Sequence, residues 1–207
     1  MGKRGDELHE QILFAAKDVL LETGFERTSM DAIAERAKTS KRTLYAHFES
    51  KEKLYLAVIE LVRGLYLDKL KTPADYADDT IEALVLFCGR FMELLLWAPT
   101  IGMCRVGIAE AERFPEGSAR FYDAIFANAH ERLAKFIGQR WKLKPKAAAT
   151  RADALLGAVL HPRFARALFG IDKVSDEWLD EEKISPSFDL AQVRKAVADA
   201  ARHVEAV

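Results

Sequence analysis

The chain has 207 residues, 50% of them apolar and 30% charged, which marks a folded protein with room for one large domain or two modest ones. Lys and Arg number 31 against 32 Asp and Glu, a formal net charge of −1, so the molecule as a whole carries no positive excess that would draw it to phosphate. Two cysteines, Cys88 and Cys104, are too few for a disulfide scaffold, no stretch approaches the roughly 18 apolar residues of a membrane span, and the start lacks the apolar core of an export signal. The expected location is a reducing cytoplasm, away from membranes.

In chain order, Leu8, Ile12, Ala15, Ala16, Val19 and Leu20 recur at helical spacing and Gly24 closes the run, which predicts a helix over residues 7–23. Thr28-Ser29-Met30-Asp31 supplies a hydroxyl cap with a carboxylate three residues on, and Met30, Ile33, Ala34 and Ala37 share one face of a short second helix. A third short helix fits residues 41–48 with Leu44 and Phe48 inward, and Ser50 caps a long fourth one through Leu54, Val58, Leu61 and Leu65. Beyond Lys71-Thr72-Pro73, helices are expected over 78–97 and 101–114, with Pro99 between them. Pro115 opens a helix reaching Trp141, and Pro145 opens the next, because a first-turn proline lacks only a donor that has no partner there. His161-Pro162 breaks that helix before Gly170, residues 172–186 read as an acidic surface connection, and 189–204 as a final amphipathic helix. No run alternates with period two, so the fold class is all-α: an N-terminal three-helix head joined by a long helix to a helical-bundle body.

The chemistry lies in the head. Within residues 28–53, a helix of about eight residues, a tight turn and another helix of about seven have the geometry of a helix-turn-helix, whose second helix enters the major groove. Residues 36–53 hold six basic side chains (Arg36, Lys38, Lys41, Arg42, Lys51, Lys53) against Glu49 and Glu52, a local surplus of four. Ser40, Thr43, Tyr45 and His47 are interleaved as short or planar donors for phosphate oxygens, and Arg42 is shaped to bind a guanine edge in bidentate fashion. A solvated basic face has the same appearance, and Tyr45 and Phe48 equally suit the core of a small bundle, so these residues alone leave both readings open.

Ser29-Met30-Asp31-Ala32-Ile33-Ala34-Glu35-Arg36-Ala37, then Ser40-Lys41-Arg42-Thr43-Leu44-Tyr45-Ala46-His47-Phe48 and Ser50-Lys51-Glu52-Lys53-Leu54, resemble the DNA-binding head of the tetracycline-repressor (TetR) family. The resemblance implies a helix-turn-helix DNA-binding domain over residues 1–53 and a ligand-binding and dimerisation domain over 54–207. It also implies operator contacts from Thr28 and Ser29, from Ser40, Lys41, Arg42, Thr43, Tyr45 and His47, and from Lys51 as a phosphate clamp. Two positions depart from the family pattern: Lys38 stands where the turn usually has glycine, and Arg42 where a small residue is common. The first implies a left-handed backbone under some strain, the second a change in the bases read.

The body, particularly Phe91 to Phe136 with Arg105-Val106-Gly107-Ile108-Ala109-Glu110-Ala111-Glu112-Arg113-Phe114-Pro115-Glu116, resembles the AefR-like branch. That implies a homodimer through the last two long helices, a small-molecule effector of unknown identity, and a regulator, most simply a repressor released from double-stranded operator DNA by that effector. Phe87, Phe91, Leu95, Met103, Arg105, Phe121, Tyr122 and Ile125 are candidates to line an effector pocket, although an ordinary core would use most of them too. Arg90 and Arg105 suit salt bridges to Glu93, Glu110 or Glu112. The dimer stripe would be Leu155, Leu156, Val159 and Leu160 with Leu190, Val193, Val197 and Ala201.

The five histidines show no metal-ligand spacing and no phosphate loop or nucleophile motif occurs, so no metal, cofactor or enzymatic activity is expected. The competing reading is a helical interaction protein whose head has lost DNA. Residues 172–183 hold Asp172, Asp176, Glu177, Asp180, Glu181 and Glu182 against Lys173 and Lys183, a deficit of four that cancels the head's surplus, so the near-zero net charge conceals a polarised chain.

Overall fold

The computed structural model describes residues 3–67, 69–177 and 184–205. Asp180, Glu181, Glu182 and Lys183 of the acidic connection lie outside the described residues. In chain order the helices are α1 (Lys3–Arg27), α2 (Met30–Arg36), α3 (Lys41–His47), α4 (Lys51–Leu67), α5 (Thr80–Leu95), α6 (Ala98–Ala109), α7 (Pro115–Tyr122), α8 (Asn128–Arg140), α9 (Pro145–Leu160), α10 (Arg163–Leu168) and α11 (Ala191–Glu205). A 3-10 turn, Pro73–Asp75, precedes α5 and a π turn, Asp123–Ala127, joins α7 to α8. The all-α expectation holds among the described residues.

The chain forms two compact units, one of residues 1–65 with 102–124 and the other of residues 66–101 with 125–207. In the first, Ile12, Ala16 and Leu20 of α1, Ile33 of α2, Leu44 of α3 and Leu54 and Val58 of α4 are essentially water-free and make the core of the head. Each such leucine, isoleucine or valine side chain stabilises the fold by about 1.5–3 kcal/mol. Gly24, at φ 75° and ψ 167°, breaks α1 where the sequence predicts its stop, in a backbone region open almost only to glycine. Residues 102–124 join this unit through Gly102, where an added Cβ would meet Leu21 at 2.6 Å, and through an aromatic group of Phe25, Tyr55 and Phe114 with centroids 5.0–5.9 Å apart. Burial and, next, the nearby Glu110 push the Tyr55 hydroxyl up to about 12. An Arg113–Glu26 pair at 2.7 Å lies beside the group.

In the second unit α11 packs on α5 and α9, and α8 on α9. Leu84, Phe87, Phe91 and Leu95 of α5, Leu133 of α8, Leu155 and Val159 of α9 and Val193 and Val197 of α11 are buried there. Arg194 forks onto Glu82 at 2.6 and 2.9 Å, tying α11 to α5.

Several predicted boundaries shift for local reasons. The helix expected over 78–97 starts at Thr80 because Asp79 takes the cap, accepting from Glu82 N at 2.8 Å. The one expected over 101–114 starts at Ala98, since Pro99 is accommodated in a first turn, and gives way to a turn after Ala109. The segment from Pro115 to Trp141 is not one α-helix. A single widened turn at Asp123–Ala127 divides it into α7 and α8. Pro115 and Pro145 open α7 and α9, and α9 stops at Leu160 before His161-Pro162, as expected.

Candidate nucleic-acid interface

Ser40 opens α3 with extended backbone, its hydroxyl accepting from Thr43 N at 3.0 Å and sharing a hydrogen with Thr43 Oγ1 at 2.8 Å. Leu44 and Phe48 are buried beneath, which turns Lys41, Arg42 and Tyr45 to solvent beside the exposed Ser40. Tyr45 is 45% exposed, so it is not the core residue its ring alone would suggest. Thr43 and His47 are half-buried; the His47 ring lies 5.7 Å from that of His9, which stacks on Phe48 at 4.8 Å.

The turn before α3 is held by paired backbone bonds, Lys38 N to Glu35 O at 3.0 Å and Thr39 N to Ala34 O at 2.9 Å. Such a helix end requires a left-handed residue, and Lys38 supplies it at φ 50°, the strain the missing glycine implies. Gly170 fills the same place after α10, and Lys142, at φ 51°, the one after α8.

Three predicted contacts also make hydrogen bonds within the head. Thr28 is buried, its hydroxyl 2.7 Å from Gly24 O and 2.9 Å from Thr23 Oγ1. Ser29, not Thr28, caps α2, accepting from Ala32 N at 3.1 Å, and remains exposed. Lys51 Nζ donates to Phe25 O at 3.0 Å and Glu26 O at 3.3 Å.

The charge of the face is smaller than composition implies. Arg36 forks onto Glu22 at 2.9 and 2.7 Å, which holds that carboxyl below its ordinary range, and Lys41 pairs with Asp31 at 2.8 Å. These acids come from outside residues 36–53 and lower the surplus there from four to two. Lys38, Arg42 and Lys53 are exposed, with no ion pair among the described residues. Sequence reasoning missed Glu22 and Asp31; separations of 14 and 10 residues across different helices leave no periodic signal.

The candidate effector residues divide between the units. Phe87, Phe91, Leu95 and Ile125 are water-free in the second, Met103 and Phe121 are buried in the first, and Arg105 and Tyr122 are exposed. Arg90, fully buried, donates to Glu93 at 2.6 Å, the salt bridge expected of it. Both cysteines are free and buried, and burial pushes each thiol up to about 12, far from a reactive thiolate. Val193, Val197, Leu155, Leu156 and Val159 of the dimer stripe are buried within the single chain, and the exposed positions of α9 and α11 mix alanines such as Ala154, Ala158 and Ala198 with charged residues such as Asp153, Arg194, Lys195 and Arg202. A cavity of about 400 Å³ runs beside them, lined by Ile137, Trp141, Leu155, Ala158, Val197 and Ala201. No helix among the described residues is long and apolar enough to cross a membrane.

Residues 12–58 match the bacterial regulatory proteins of the tetR family, and residues 82–202 match the C-terminal domain of AefR-like transcriptional repressors. The chain is 50% identical over 179 residues to the HTH-type transcriptional regulator YdeS of Bacillus subtilis (strain 168), covering 85% of this chain and 86% of that one. It is 49% identical over 55 residues to the HTH-type transcriptional activator FasR of Mycolicibacterium smegmatis, a match spanning 27% of this chain and only 25% of FasR. Among solved structures, a TetR-family regulator from Mesorhizobium loti MAFF303099 superposes with a TM-score of 0.77 at 21% identity over 99% of this chain and 98% of that one. The flavonoid-responsive regulator FrrA superposes at 0.73 and 24% identity over 96% and 95%, and both likenesses concern the fold alone. With an exposed α3 seated on Leu44 and Phe48, and with both family matches and YdeS in agreement, the chain belongs to the TetR family of DNA-binding transcriptional regulators.

Proposed function

We propose that the protein acts in the cytoplasm as a homodimeric repressor that leaves its operator when a small-molecule effector binds the body. The carrying observation is the outward face of α3, where Arg42 and Tyr45 stand exposed on a buried Leu44 and Phe48 anchor beside Ser40 and Lys41. Arg42 is the residue assigned to a base edge; Ser29, Ser40, Lys41, Thr43, Tyr45 and His47 are assigned to the backbone and flanking positions. Residues 1–53 read DNA in this scheme, and 54–207 hold the effector and the dimer contact. The AefR-like match, to transcriptional repressors, covers most of the body, whereas the match to the activator FasR is confined to 55 residues, which favours repression. No catalytic step is part of this reading, in keeping with relatives named as transcriptional regulators.

Ala154 and Ala158 of α9 and Ala201 of α11 line the 400 Å³ cavity, and such small side chains support a partner helix's close approach there. In a two-fold dimer only a head spacing near one DNA repeat, about 34–36 Å, lets both α3 helices enter successive grooves, and an effector acts by preferring one spacing. Footprinting on the promoter of its own gene and its neighbours tests this. Protection of a two-fold site at low salt, abolished by Arg42→Ala and weakened by an extract fraction that co-purifies with the protein, is the expected result; no protection at any salt overturns it.

A further inference from the structure

Lys41 and Asp31 present a conflict at the DNA-facing surface. The ammonium lies 2.8 Å from one carboxylate oxygen of Asp31 and 3.0 Å from the other, with the two side chains 58% and 66% exposed. Asp31 sits in the first turn of α2, two residues after the Ser29 cap, where the amide ends of the helix favour a carboxylate. It therefore stands on the surface that carries Ser29, Ser40 and Lys41, all of them exposed. A phosphate reaching Lys41 must compete with Asp31 for the ammonium and tolerate its negative charge. The Arg36–Glu22 fork raises no such conflict, because Arg36 precedes the turn and is not among the assigned contacts.

We propose that Asp31 is a specificity-determining residue: it holds Lys41 away from phosphate in encounters with arbitrary DNA and releases it only where the other α3 contacts are in register. Non-specific affinity is set by the number of phosphates neutralised, so a lysine withheld from that number lowers background binding while remaining available at the operator. An exposed pair is the right strength for this role. It discourages release during a passing contact, yet a complete set of operator contacts overcomes it. The inference rests on Lys41 facing DNA, as assigned above.

The test uses the full-length protein and a fluorescein-labelled random-sequence duplex, read by anisotropy across a salt series. Asp31→Asn is expected to tighten binding about three- to fivefold and to steepen the plot of log affinity against log salt by about 0.9 for each head that engages the duplex, the contribution of one added phosphate contact per head. Asp31→Ser should do the same, and Asp31→Glu, which keeps the pair, should bind as the parent does. In a Lys41→Ala background Asp31→Asn should leave the salt slope unchanged. An equal gain with and without Lys41 would show only relief of general repulsion and overturn the proposal; so would weaker binding by Asp31→Asn, which would make Asp31 a support for Lys41. Failure of the parent protein to bind any duplex at low salt would instead remove the DNA-binding assignment on which the inference stands.

Discussion

The Lys51 ammonium sits 4.4 Å above the ring of Phe25 and 3.0 Å from the carbonyl oxygen of the same residue. The start of α4 is thereby fastened to the end of α1 by a charged hydrogen bond and a cation–π contact. Lys51→Ala is expected to lower the unfolding free energy by about 1–2 kcal/mol, from loss of the charge-assisted bond and the ring contact. A pure phosphate clamp would leave stability alone and only flatten the salt dependence of DNA binding. Urea unfolding beside a duplex salt titration separates the two roles.

Left-handed backbone occurs at four described positions, and the residue types there give opposite expectations. At Gly24 an added Cβ meets nothing within 4 Å, so Gly24→Ala tests the backbone alone and should cost about 1–3 kcal/mol despite open space. At Lys38, which already bears the strain, Lys38→Gly should stabilise by up to about 1 kcal/mol, the relief being partly offset by the greater freedom of glycine in the unfolded chain. Thermal melts of the two variants should move in opposite directions.

Acid should weaken the protein only below the ordinary carboxylate range. Hydrogen bonds from Arg36, Arg113, Arg194 and Arg166 hold Glu22, Glu26, Glu82 and Asp172 below their usual values of 4.5 for Glu and 3.8 for Asp, and bonds from Thr72 do the same for Asp75. A carboxyl group lowered on folding stabilises fully above its unfolded value and loses that contribution as pH falls through the folded one. The melting temperature should be flat from pH 7 to about 5 with respect to these groups and fall below about pH 4.5, less steeply in high salt because the pairs are exposed.

In the body, Glu93 stands between the buried Arg90 guanidinium, at 2.6 Å, and the Ser185 amide, which donates to its other oxygen at 2.7 Å. Arg90 also donates to Lys69 O at 3.2 Å. Glu93→Ala removes a hydrogen-bonded carboxylate from a buried guanidinium and should cost about 3–5 kcal/mol in urea unfolding. Glu93→Gln keeps acceptor geometry and should cost less.

What the sequence reveals here follows the range of each interaction. Ser40, Ser50, Pro115 and Pro145 act within a turn of themselves, so each marks a helix start on inspection. Leu44 and Phe48 declare their inward face by spacing alone, which leaves the opposite side of α3 to solvent. Thr28 and Lys51 resemble DNA contacts in type and position, and their spacing does not reveal that they also donate to Gly24 and Phe25, brought near by the bend ending α1. The dimer stripe shows the same limit: periodicity marks Val193 and Val197 as buried without saying that α5 and α9 of the same chain bury them. The π turn after α7 has no such marker, since Asp123–Ala127 holds neither proline nor glycine.

Residues 102–124 share a compact unit with the DNA-reading head, with Gly102 against Leu21, Phe114 against Phe25 and Tyr55, and Arg113 on Glu26. A head excised at Leu65 would bare those side chains to water. Exchange of DNA specificity between relatives by grafting therefore has a natural unit that is discontinuous in sequence: a transplanted head keeps its packing only if the stretch from Gly102 to Ala124 travels with it or is matched to it in the recipient.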